Sequence, residues 1–580
     1  MASPFFGLDI GVSGLRAAQQ ELDTAAHNAA NANTPGYSRQ VVNLEESIPW
    51  TYPSFTRSGL PGQVGTGVTV ASITRVHDNF LDAQVQQQTA LQNQWDTRNQ
   101  LLSKIQSIFP EPSTTGLGSA MSAYYSAWQD VANDPSSTAA RTSMTEQAAN
   151  LAMDLNSASG QLKIAAQGID TQISQQVVSV NDLATQIASI NGQIQRVSIS
   201  GSNPNDLLDQ REQLLEKLNA IVPTTELTRS DGTLSVLVGG VDLVSNVNAR
   251  QITTTTDASG NVNPVWSDGS PVQCSSGQMK ALLDARDVDI AGYVTQLDQL
   301  SQAIADSTNT LLQRGVDANG NPGQALFTYY PGNVAQTLAI NPAIAANPQL
   351  VAAASTANAP GDGSVASLIA GIQSATSYSA GVAGANLVGG MDLTTGSTAR
   401  LTTVAANTAT AQTYTMSSSA AGSLTLTGAN GSTQTISVAD MAAGGTQVLN
   451  FDQLGIQLTV TTDASSKAAS DLVTDLTGAG HNSLVVASLF NPPQTGTDFY
   501  AGLVGKIGAS AAQATEMSQN QQLVVQQLTS QVQQQSGVSL DEEATNMLEF
   551  QHAYQASARV ITAMDEVLNT LINNTGVVGR

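Results

Sequence analysis

The side chains that could bind a metal ion are few in this chain and lie far apart. The histidines are His27, His77, His481 and His552, and the single cysteine is Cys274. No two of them have the short spacing of zinc-binding motifs, and a lone cysteine cannot form a disulfide within the chain. His27 and His552 fall in strongly periodic segments, where a polar helix residue is the ordinary interpretation. We therefore predict that the protein holds no metal ion.

Three other segments have some residues of a known catalytic or ligand-binding motif but not its full pattern. Asp317–Asn321 is similar to the start of a calcium loop, yet Thr328 stands where that loop needs glutamate. Gly65 and Gly67 lack the third glycine of a dinucleotide-binding turn and precede an extended segment. The acids Asp541–Glu543 suit the first turn of a helix, where they stabilise the helix dipole. We therefore predict that the protein is not an enzyme and uses no cofactor.

Apolar residues at seven-residue spacing occupy both ends of the chain and predict a long helix at each end. The first seam has aliphatic positions with small residues between them: Leu8, Leu15, Leu22 and Ala29, with Gly11, Ala18 and Ala25. The second seam is bulkier: Leu540, Met547, Tyr554, Ile561 and Leu568, with Phe550, Ser557, Met564 and Leu571. This spacing is typical of coiled coils. Because small residues let large ones approach, we expect the two ends to pack together or with neighbouring molecules.

Each seam lies on a single short helical segment that we do not expect to fold on its own. Isolated helices of this length are marginal in water. We therefore expect residues 1–45 and 540–580 to be disordered in the free monomer. They would order when neighbouring molecules bury the seams, so that folding and polymerisation are coupled.

Changes of periodicity divide the chain into three predicted domains. The terminal domain consists of residues 1–76 with 536–580, and residues 41–76 in it are extended. A helical bundle domain consists of residues 77–354 with 483–535, and it contains a small β excursion at 223–275. Residues 355–482 form an inserted β domain, and helix returns after about residue 484. The predicted fold class is mainly α with inserted β: terminal coiled-coil helices, a discontinuous helical bundle and inserted β domains.

The charge balance disfavours two classes of partner. The chain has 580 residues with 21 Lys and Arg against 45 Asp and Glu, which gives a net charge of −24. Nucleic acids and anionic membrane surfaces would repel such a protein. No stretch approaches the roughly 20 apolar residues that span a bilayer, and the first residues do not form a cleavable secretory signal. Composition alone would place the protein in the cytoplasm.

Short motifs near both ends and in the middle resemble one known family. After the first seam, Asn31–Gln40 reads Asn-Ala-Asn-Thr-Pro-Gly-Tyr-Ser-Arg-Gln, in which Thr-Pro-Gly supplies a helix stop and a turn. Ser536–Ala544, Phe550–Val560 and the internal segment Asn205–Glu212 agree with it. Together they resemble bacterial flagellar axial proteins, in particular the first hook-associated proteins of the hook–filament junction, the FlgK family. The resemblance does not cover residues 355–482.

The resemblance implies a structural adaptor that joins the flagellar hook to the filament. Such proteins leave the cell uncleaved through the flagellar type III export apparatus, assemble through their terminal helices and are extracellular. The implied partners are further copies of the chain in a ring-like layer, hook protein, the second hook-associated protein and an export chaperone, with no nucleic acid and no membrane. The predicted assembly interface comprises the seams and the turn: Leu8, Leu15, Leu22, Asn33, Pro35, Gly36, Tyr37, Met547, Phe550, Tyr554, Ile561, Met564, Leu568 and Leu571.

Three alternatives remain open at this point. The nearest is another axial protein, such as the second junction protein, hook or distal rod. A secreted adhesin-like protein could bind a ligand through its Thr- and Ser-rich β segment, although no ligand motif is visible there. An enzyme hidden within residues 355–482 fits least, because that segment has neither a Cys nor an acid cluster, and its one His, His481, stands at its end.

Overall fold

The computed structural model describes residues 6–49, 65–229, 231–375, 377–382, 391–392, 399–405, 412–462, 465–478, 483–488, 490 and 494–573. The chain forms two compact units, each assembled from separate stretches. Unit 1 contains Met1–Asn99, Ile169–Leu283 and Ala514–Arg580, and unit 2 contains Gln100–Gly168 and Asp284–Gln513. Long helices dominate, and small antiparallel sheets interrupt them. The predicted fold class, mainly α with inserted β, is confirmed.

The helices of the described residues are α1 (Phe6–Asn31), α2 (Asn79–Gln106), α3 (Leu117–Asn133), α4 (Thr138–Ile199), α5 (Asn205–Ile221), α6 (Gly277–Asp284), α7 (Ala291–Leu312), α8 (Val334–Thr337), α9 (Pro342–Ala346), α10 (Ser364–Gly371), α11 (Ala469–Leu476), α12 (Gly496–Ser536) and α13 (Leu540–Asn573). A π-helical segment, Ala285–Ile290, joins α6 to α7. The break between α4 and α5 falls at the Ser-Gly-Ser-Asn-Pro run, since proline and glycine end helices.

The strands are β1 (Gln40–Glu46), β2 (Val68–Arg75), β3 (Thr225–Thr228), β4 (Leu234–Val238), β5 (Val241–Ser245), β6 (Asn248–Ala249), β7 (Ile252–Thr256), β8 (Val262–Trp266), β9 (Phe327–Thr328), β10 (Ala339–Ile340), β11 (Ser377–Val382), β12 (Met391–Asp392), β13 (Ala399–Ala405), β14 (Thr413–Ser417), β15 (Ser423–Gly428), β16 (Thr433–Ser437), β17 (Thr446–Phe451), β18 (Ile456–Thr462) and β19 (Ser483–Ser488). In unit 1, β1 pairs with β2, β3 to β6 form a meander, and β7 pairs with β8.

A buried amide fastens the β3–β6 meander of unit 1 to α4. Asn191 is fully buried, and its Nδ2 donates to the carbonyls of Leu234, at 2.8 Å, and Asn246, at 2.7 Å. Its Oδ1 accepts from Arg211 Nη1 at 3.2 Å, and the same guanidinium donates to Gly232 O at 3.0 Å. Because buried polar groups need partners, this network fixes the position of the meander on the helices.

Unit 2 contains a β-sandwich with a single apolar core. One sheet has the order β11-β19-β14-β15-β16 and the other β12-β13-β18-β17. Inward side chains of both sheets, such as Leu424, Leu426, Phe451 and Leu458, pack in one cluster with Leu472 of α11. Burial alternates strictly along β14 and β15, as expected for strands with one face on the core.

The prediction that helix returns after residue 484 is wrong. Ser483–Ser488 forms β19, which pairs with β11 on one side and β14 on the other, and α12 begins only at Gly496. The run Ser-Leu-Val-Val-Ala-Ser is short and apolar, and periodicity cannot distinguish a buried strand from a helix in such a run. The division of the chain into three domains stays a proposal.

Candidate assembly site

The two terminal seams meet within one chain as an antiparallel helix pair. Close approaches run in opposite directions along the helices: Gly7 faces Met564, Gly11 faces Ile561 and Gly14 faces Ser557. A Cβ atom at Gly11 would lie 2.8 Å from Ile561 Cγ1, and one at Gly14 would lie 3.0 Å from Ser557 Oγ. The glycines of α1 therefore let α13 pack almost against its backbone. We call the α1–α13 pair the terminal rod.

The seam residues of the rod are buried to different degrees. On α1 the small residues Gly11, Ala18 and Ala25 are buried, whereas the leucines at 8, 15 and 22 are half-buried. On α13 the half-buried positions follow the predicted spacing: Met547, Phe550, Tyr554, Ile561 and Met564; Leu568 is buried. The side chain of Leu571 lies outside the described residues. The rod thus joins the two seams, while their contact with neighbouring molecules stays a prediction.

The turn after α1 depends on a glycine. Gly36 has φ +72°, and a Cβ atom there would lie 2.5 Å from Gln213 Nε2. That Nε2 atom donates to Pro35 O at 2.7 Å, so the turn is held against α5. Asn33, Pro35 and Gly36 are themselves exposed. The exposed turn has a fixed shape, because only glycine fits the left-handed conformation beside Gln213.

A buried asparagine of α1 closes this turn. Asn28 is 2% exposed, and its Oδ1 accepts from Tyr37 Oη at 2.8 Å and from the Gln40 backbone N–H at 2.9 Å. Its Nδ2 donates to Gln40 O at 2.9 Å. Burial, and then the nearby carboxylates Asp206, Asp209 and Glu543, raise the pKa of Tyr37. The phenol therefore stays protonated and remains the donor to Asn28.

The internal motif Asn205–Glu212 on α5 docks on the segment that follows the turn. Asn205 Nδ2 donates to Gln40 Oε1 at 3.1 Å, and Gln40 Nε2 donates to Asp206 Oδ1 at 2.8 Å. The backbone N–H of Ser38 donates to Asp209 Oδ2 at 3.1 Å. Two motifs that are separated by more than 160 residues in the chain therefore form one hydrogen-bonded cluster, which we call the motif cluster.

Arg75, at the end of β2, supplies the positive charge of the motif cluster. Its Nη1 lies 2.6 Å from Asp209 Oδ1, and its two terminal nitrogens each donate to Glu212 at 3.0 Å. Although burial opposes the charged form, the hydrogen bonds and charge of Glu212 and Asp209 raise the pKa of Arg75. A bidentate guanidinium–carboxylate pair is among the stronger polar contacts, so the cluster holds β2 to α5.

Two further residues, His77 and Arg39, connect the cluster to neighbouring helices. His77 Nδ1 lies 3.0 Å from Asp82 Oδ2 on α2, and its Nε2 lies 3.5 Å from Glu212 Oε1 on α5. The backbone N–H of Arg39 donates to Ser536 O at 2.8 Å, and Arg39 Nη1 donates to Glu542 Oε1 at 2.9 Å. The C-terminal motif therefore lies against the N-terminal motif, where α12 passes into α13.

The motif cluster borders a groove of about 680 Å³. Its walls include Pro35 of the turn, His77 between β2 and α2, Glu212 of α5, Gln533 of α12 and Val538 of the α12–α13 connection. In the part of the chain that the structure describes, no three His, Cys, Asp or Glu side chains are arranged to hold a metal ion.

The structure also places the residues of the motifs that were considered for chemistry. His27 and His552 are exposed on the rod, and His481 lies outside the described residues. The carboxylate of Asp317 accepts two backbone N–H bonds at 2.8 Å, from Asn319 and Asn321, as in an ordinary polar turn. None of the described helices is long and apolar enough to cross a membrane.

Sequence reasoning missed Asn28, Arg75 and Gln213, and it considered His77 only as a possible metal ligand. Arg75, His77 and Gln213 fall outside the family motifs, and single polar residues leave no periodic signal. Asn28 offered one: it occupies the seam spacing after Ala25, where a polar residue at a buried position demands hydrogen-bond partners.

Comparisons with known proteins agree with this arrangement. A family model described as the flagellar hook-associated protein FlgK helical domain matches residues 102–327. Models described as flagella basal body rod protein and as the C-terminal part of the flagellar basal body rod FlgEFG proteins match residues 8–37 and 529–574. The latter two cover the turn and most of the rod.

Relatives that match over almost the whole chain share the same name. Flagellar hook-associated protein 1 of Bacillus subtilis is 27% identical and covers 100% of both chains. Its namesake in Escherichia coli is 28% identical over 97% of this chain and 98% of its own. The flagellar hook protein FlgE of Borreliella burgdorferi is 40% identical over 12% of this chain and 16% of its own.

A solved structure shares the fold. The flagellar hook junction protein FlgK from Burkholderia pseudomallei aligns with a TM-score of 0.52 at 20% identity, over 80% of this chain and 100% of that one. The sequence and fold matches together confirm the resemblance that the motifs indicated. By its FlgK helical-domain match, its whole-length relatives and its fold, the chain is thus similar to the flagellar hook-associated protein FlgK.

Proposed function

We propose that the chain is a structural adaptor of the flagellar hook–filament junction and assembles through its terminal rod. The observation that carries this proposal is the convergence of three separate motifs on one cluster at the end of α1. The cluster sets the rod in one orientation on α5 and β2 through Ser38, Gln40 and Arg75. A subunit that transmits lattice geometry needs such a fixed attachment.

The surface of the rod supports contact with other molecules. Beyond the seam, Leu548 is 60% exposed, Val560 44% and Val567 55%. Exposed aliphatic residues on a two-helix rod leave apolar area that neighbouring rods can cover. We propose that the fourteen predicted interface residues act together with these three positions. The seam holds the rod together, and the outer residues face neighbouring copies.

The finer assignments rest on the resemblance. We propose that the partners are further copies of the chain, hook protein, the second hook-associated protein and an export chaperone. The partial match to a flagellar hook protein supports axial partners of this kind. We also propose export through the flagellar type III apparatus without cleavage and an extracellular location on the flagellum. We propose that residues 1–76 with 536–580 form the assembly domain, 77–354 with 483–535 the helical bundle, and 355–482 the inserted β domain.

Amide hydrogen exchange tests the assembly role. The full chain is measured as a free monomer and in isolated flagella, beside a truncation that lacks residues 1–45 and 540–580. We expect α1 and α13 to exchange freely in the monomer and to be protected in flagella, while the truncation keeps the protection of the remaining helices. If the rod is already protected in the monomer and its removal melts the remainder, the rod is an internal core and coupled assembly is refuted.

A further inference from the structure

Three adjacent strands of one sheet of the β-sandwich carry only hydroxyl side chains on their outward side. On the adjacent strands β14, β15 and β16, burial alternates, and the outward positions are all Thr or Ser: Thr413, Thr415, Ser417, Ser423, Thr425, Thr427, Thr433, Thr435 and Ser437. The strands are in antiparallel register, so that Thr425 lies between Ser417 and Thr435. We call these nine positions the hydroxyl face.

The hydroxyl face lies in a segment without charge. Residues 401–439 contain no Asp, Glu, Lys, Arg or His. Charged residues make up 11% of the chain, so a segment of this length would be expected to hold about four. Solvent-facing strands commonly carry Lys or Glu, which also protect edge strands from unwanted pairing. β16 is an edge strand of its sheet and has neither.

On the opposite side of the sandwich, the outward positions of β17 and β18 are also uncharged. On β17 these are Thr446, Val448 and Asn450, and on β18 they are Gln457, Thr459 and Thr461. Val448 is 48% exposed. Charged residues follow on the next two strands: Arg400 of β13 is in register with Thr461 of β18, and Asp392 of β12 is in register with Arg400. We call these six positions the amide face.

Identical copies of a chain with net charge −24 repel one another, and contact through surfaces without charge keeps this repulsion low. In a closed ring each copy presents two different surfaces, one to the copy before it and one to the copy after it. Two uncharged faces on opposite sides of one sandwich meet this requirement. Hydroxyl groups both donate and accept, so they match the amides of Asn450 and Gln457.

We propose that the hydroxyl face of one copy docks on the amide face of the next, so that the β-sandwiches form lateral contacts between copies. This inference rests on the proposed assembly of the chain on the flagellum. It assigns to the inserted β domain a contact that the terminal motifs do not provide.

Photo-crosslinking in isolated flagella tests the contact. A photoreactive phenylalanine analogue replaces Thr435, and in the control it replaces Tyr330, which is 75% exposed elsewhere in unit 2. We expect crosslinking from position 435 to give dimers of the chain, with the attachment site between residues 446 and 462. A product with a different protein, or no dimer although the chain is present in the flagella, overturns the inference.

A charged variant sharpens this test. Thr415→Glu and Thr435→Glu, introduced together on the two strands that flank β15, should lower the dimer yield at least tenfold, with the probe moved to Thr433. The two positions are not directly opposite each other, so the thermal melting of the monomer should stay unchanged. The same two positions changed to Gln keep the size without the charge and should leave the yield unchanged. Equal yields in both variants refute the inference.

Two other outcomes are distinguishable. Intact-mass measurement of the chain from flagella shows whether the hydroxyl face carries covalently attached sugar. A sugar mass on peptide 413–437 would mean that the face is an acceptor for carbohydrate and would overturn copy-to-copy docking. Absence of the chain from flagella would refute the proposed function, and the docking inference with it.

Discussion

Replacing Arg75 by methionine should loosen the motif cluster far more than the loss of an exposed ion pair would. The side chains of Arg75 and Asp209 are only 9% and 6% exposed, and Glu212 shares the same guanidinium. Removal of one partner of a buried pair costs about 3–5 kcal/mol, because the remaining charge is buried without compensation. The substitution leaves Asp209 in that position.

Native-state hydrogen exchange of the chain in isolated flagella, where we expect residues 1–45 to be ordered, measures this effect where it occurs. The backbone N–H of Val76, which donates to Arg39 O at 2.8 Å, and the amides of β2 report opening of the cluster. Since 1.4 kcal/mol corresponds to a factor of ten, their exchange should speed up by roughly two to three and a half orders of magnitude. Arg250→Met is the matched control: its partner Asp268 is 59% exposed, so we expect a loss of about 1 kcal/mol or less.

The pH dependence and a second substitution complete the test. Burial raises the pKa of Asp209 even beside Arg75, and loss of the guanidinium removes an opposing effect. In Arg75→Met the loss of stability is therefore complete at a pH at which Asp209 is ionised. It shrinks as the pH falls through the raised pKa that Asp209 has in the folded protein, towards the ordinary pKa of an aspartate. Asp209→Asn, added to Arg75→Met, should recover most of the stability. The reasoning is wrong if Arg75→Met loses no more than Arg250→Met, or if the double variant is as unstable as the single one.

Three further predictions concern the rod and the meander. Gly11→Ala should reduce incorporation of the chain into flagella, because the new Cβ would lie 2.8 Å from Ile561 Cγ1. Adding Ile561→Ala should restore incorporation. Immunoblots of isolated flagella measure the amount of incorporated chain. Burial and the nearby Glu549 raise the pKa of Glu21, so its ionised form opposes the rod as the pH rises. Glu21→Gln should therefore raise the temperature at which the assembled chain dissociates at neutral pH, but not in acid below the ordinary pKa; an equal effect at both pH values would contradict this. Asn191→Ala should cost about 2–4 kcal/mol in unfolding free energy, since it orphans buried carbonyls, and a melting temperature equal to that of the unsubstituted chain would refute the role of this anchor.

Periodicity predicted the helices of the rod well, because a seven-residue apolar repeat has few other structural meanings. On α13 the half-buried and buried positions recur at the predicted spacing from Met547 to Leu568. On α1 the pattern correctly predicted the helix, but it indicated the leucines as the main contact residues. The structure buries Gly11, Ala18 and Ala25 more deeply, since leucine at those points would hold the helices apart.

The motif cluster could not be predicted as a unit. Ser38 and Asp209, or Gln40 and Asp206, meet across more than 160 residues, and no local pattern specifies a pairing at that distance. Each motif was recognisable alone. Their meeting depends on how α4 and α5 return the chain to β1, which is a property of tertiary packing. The same limit explains β19, whose strand conformation is set by β11 and β14 on either side.

The antiparallel rod also sets an order of events in time. Gly7 packs on Met564, so nearly the whole chain separates the two halves of the rod. If the chain leaves the cell threaded with α1 first, α1 emerges without its partner and cannot complete the rod until α13 has followed. A molecule stalled in transit would therefore lack a finished rod to insert into the growing structure. Chain order alone would then act as a check that only fully delivered copies are incorporated.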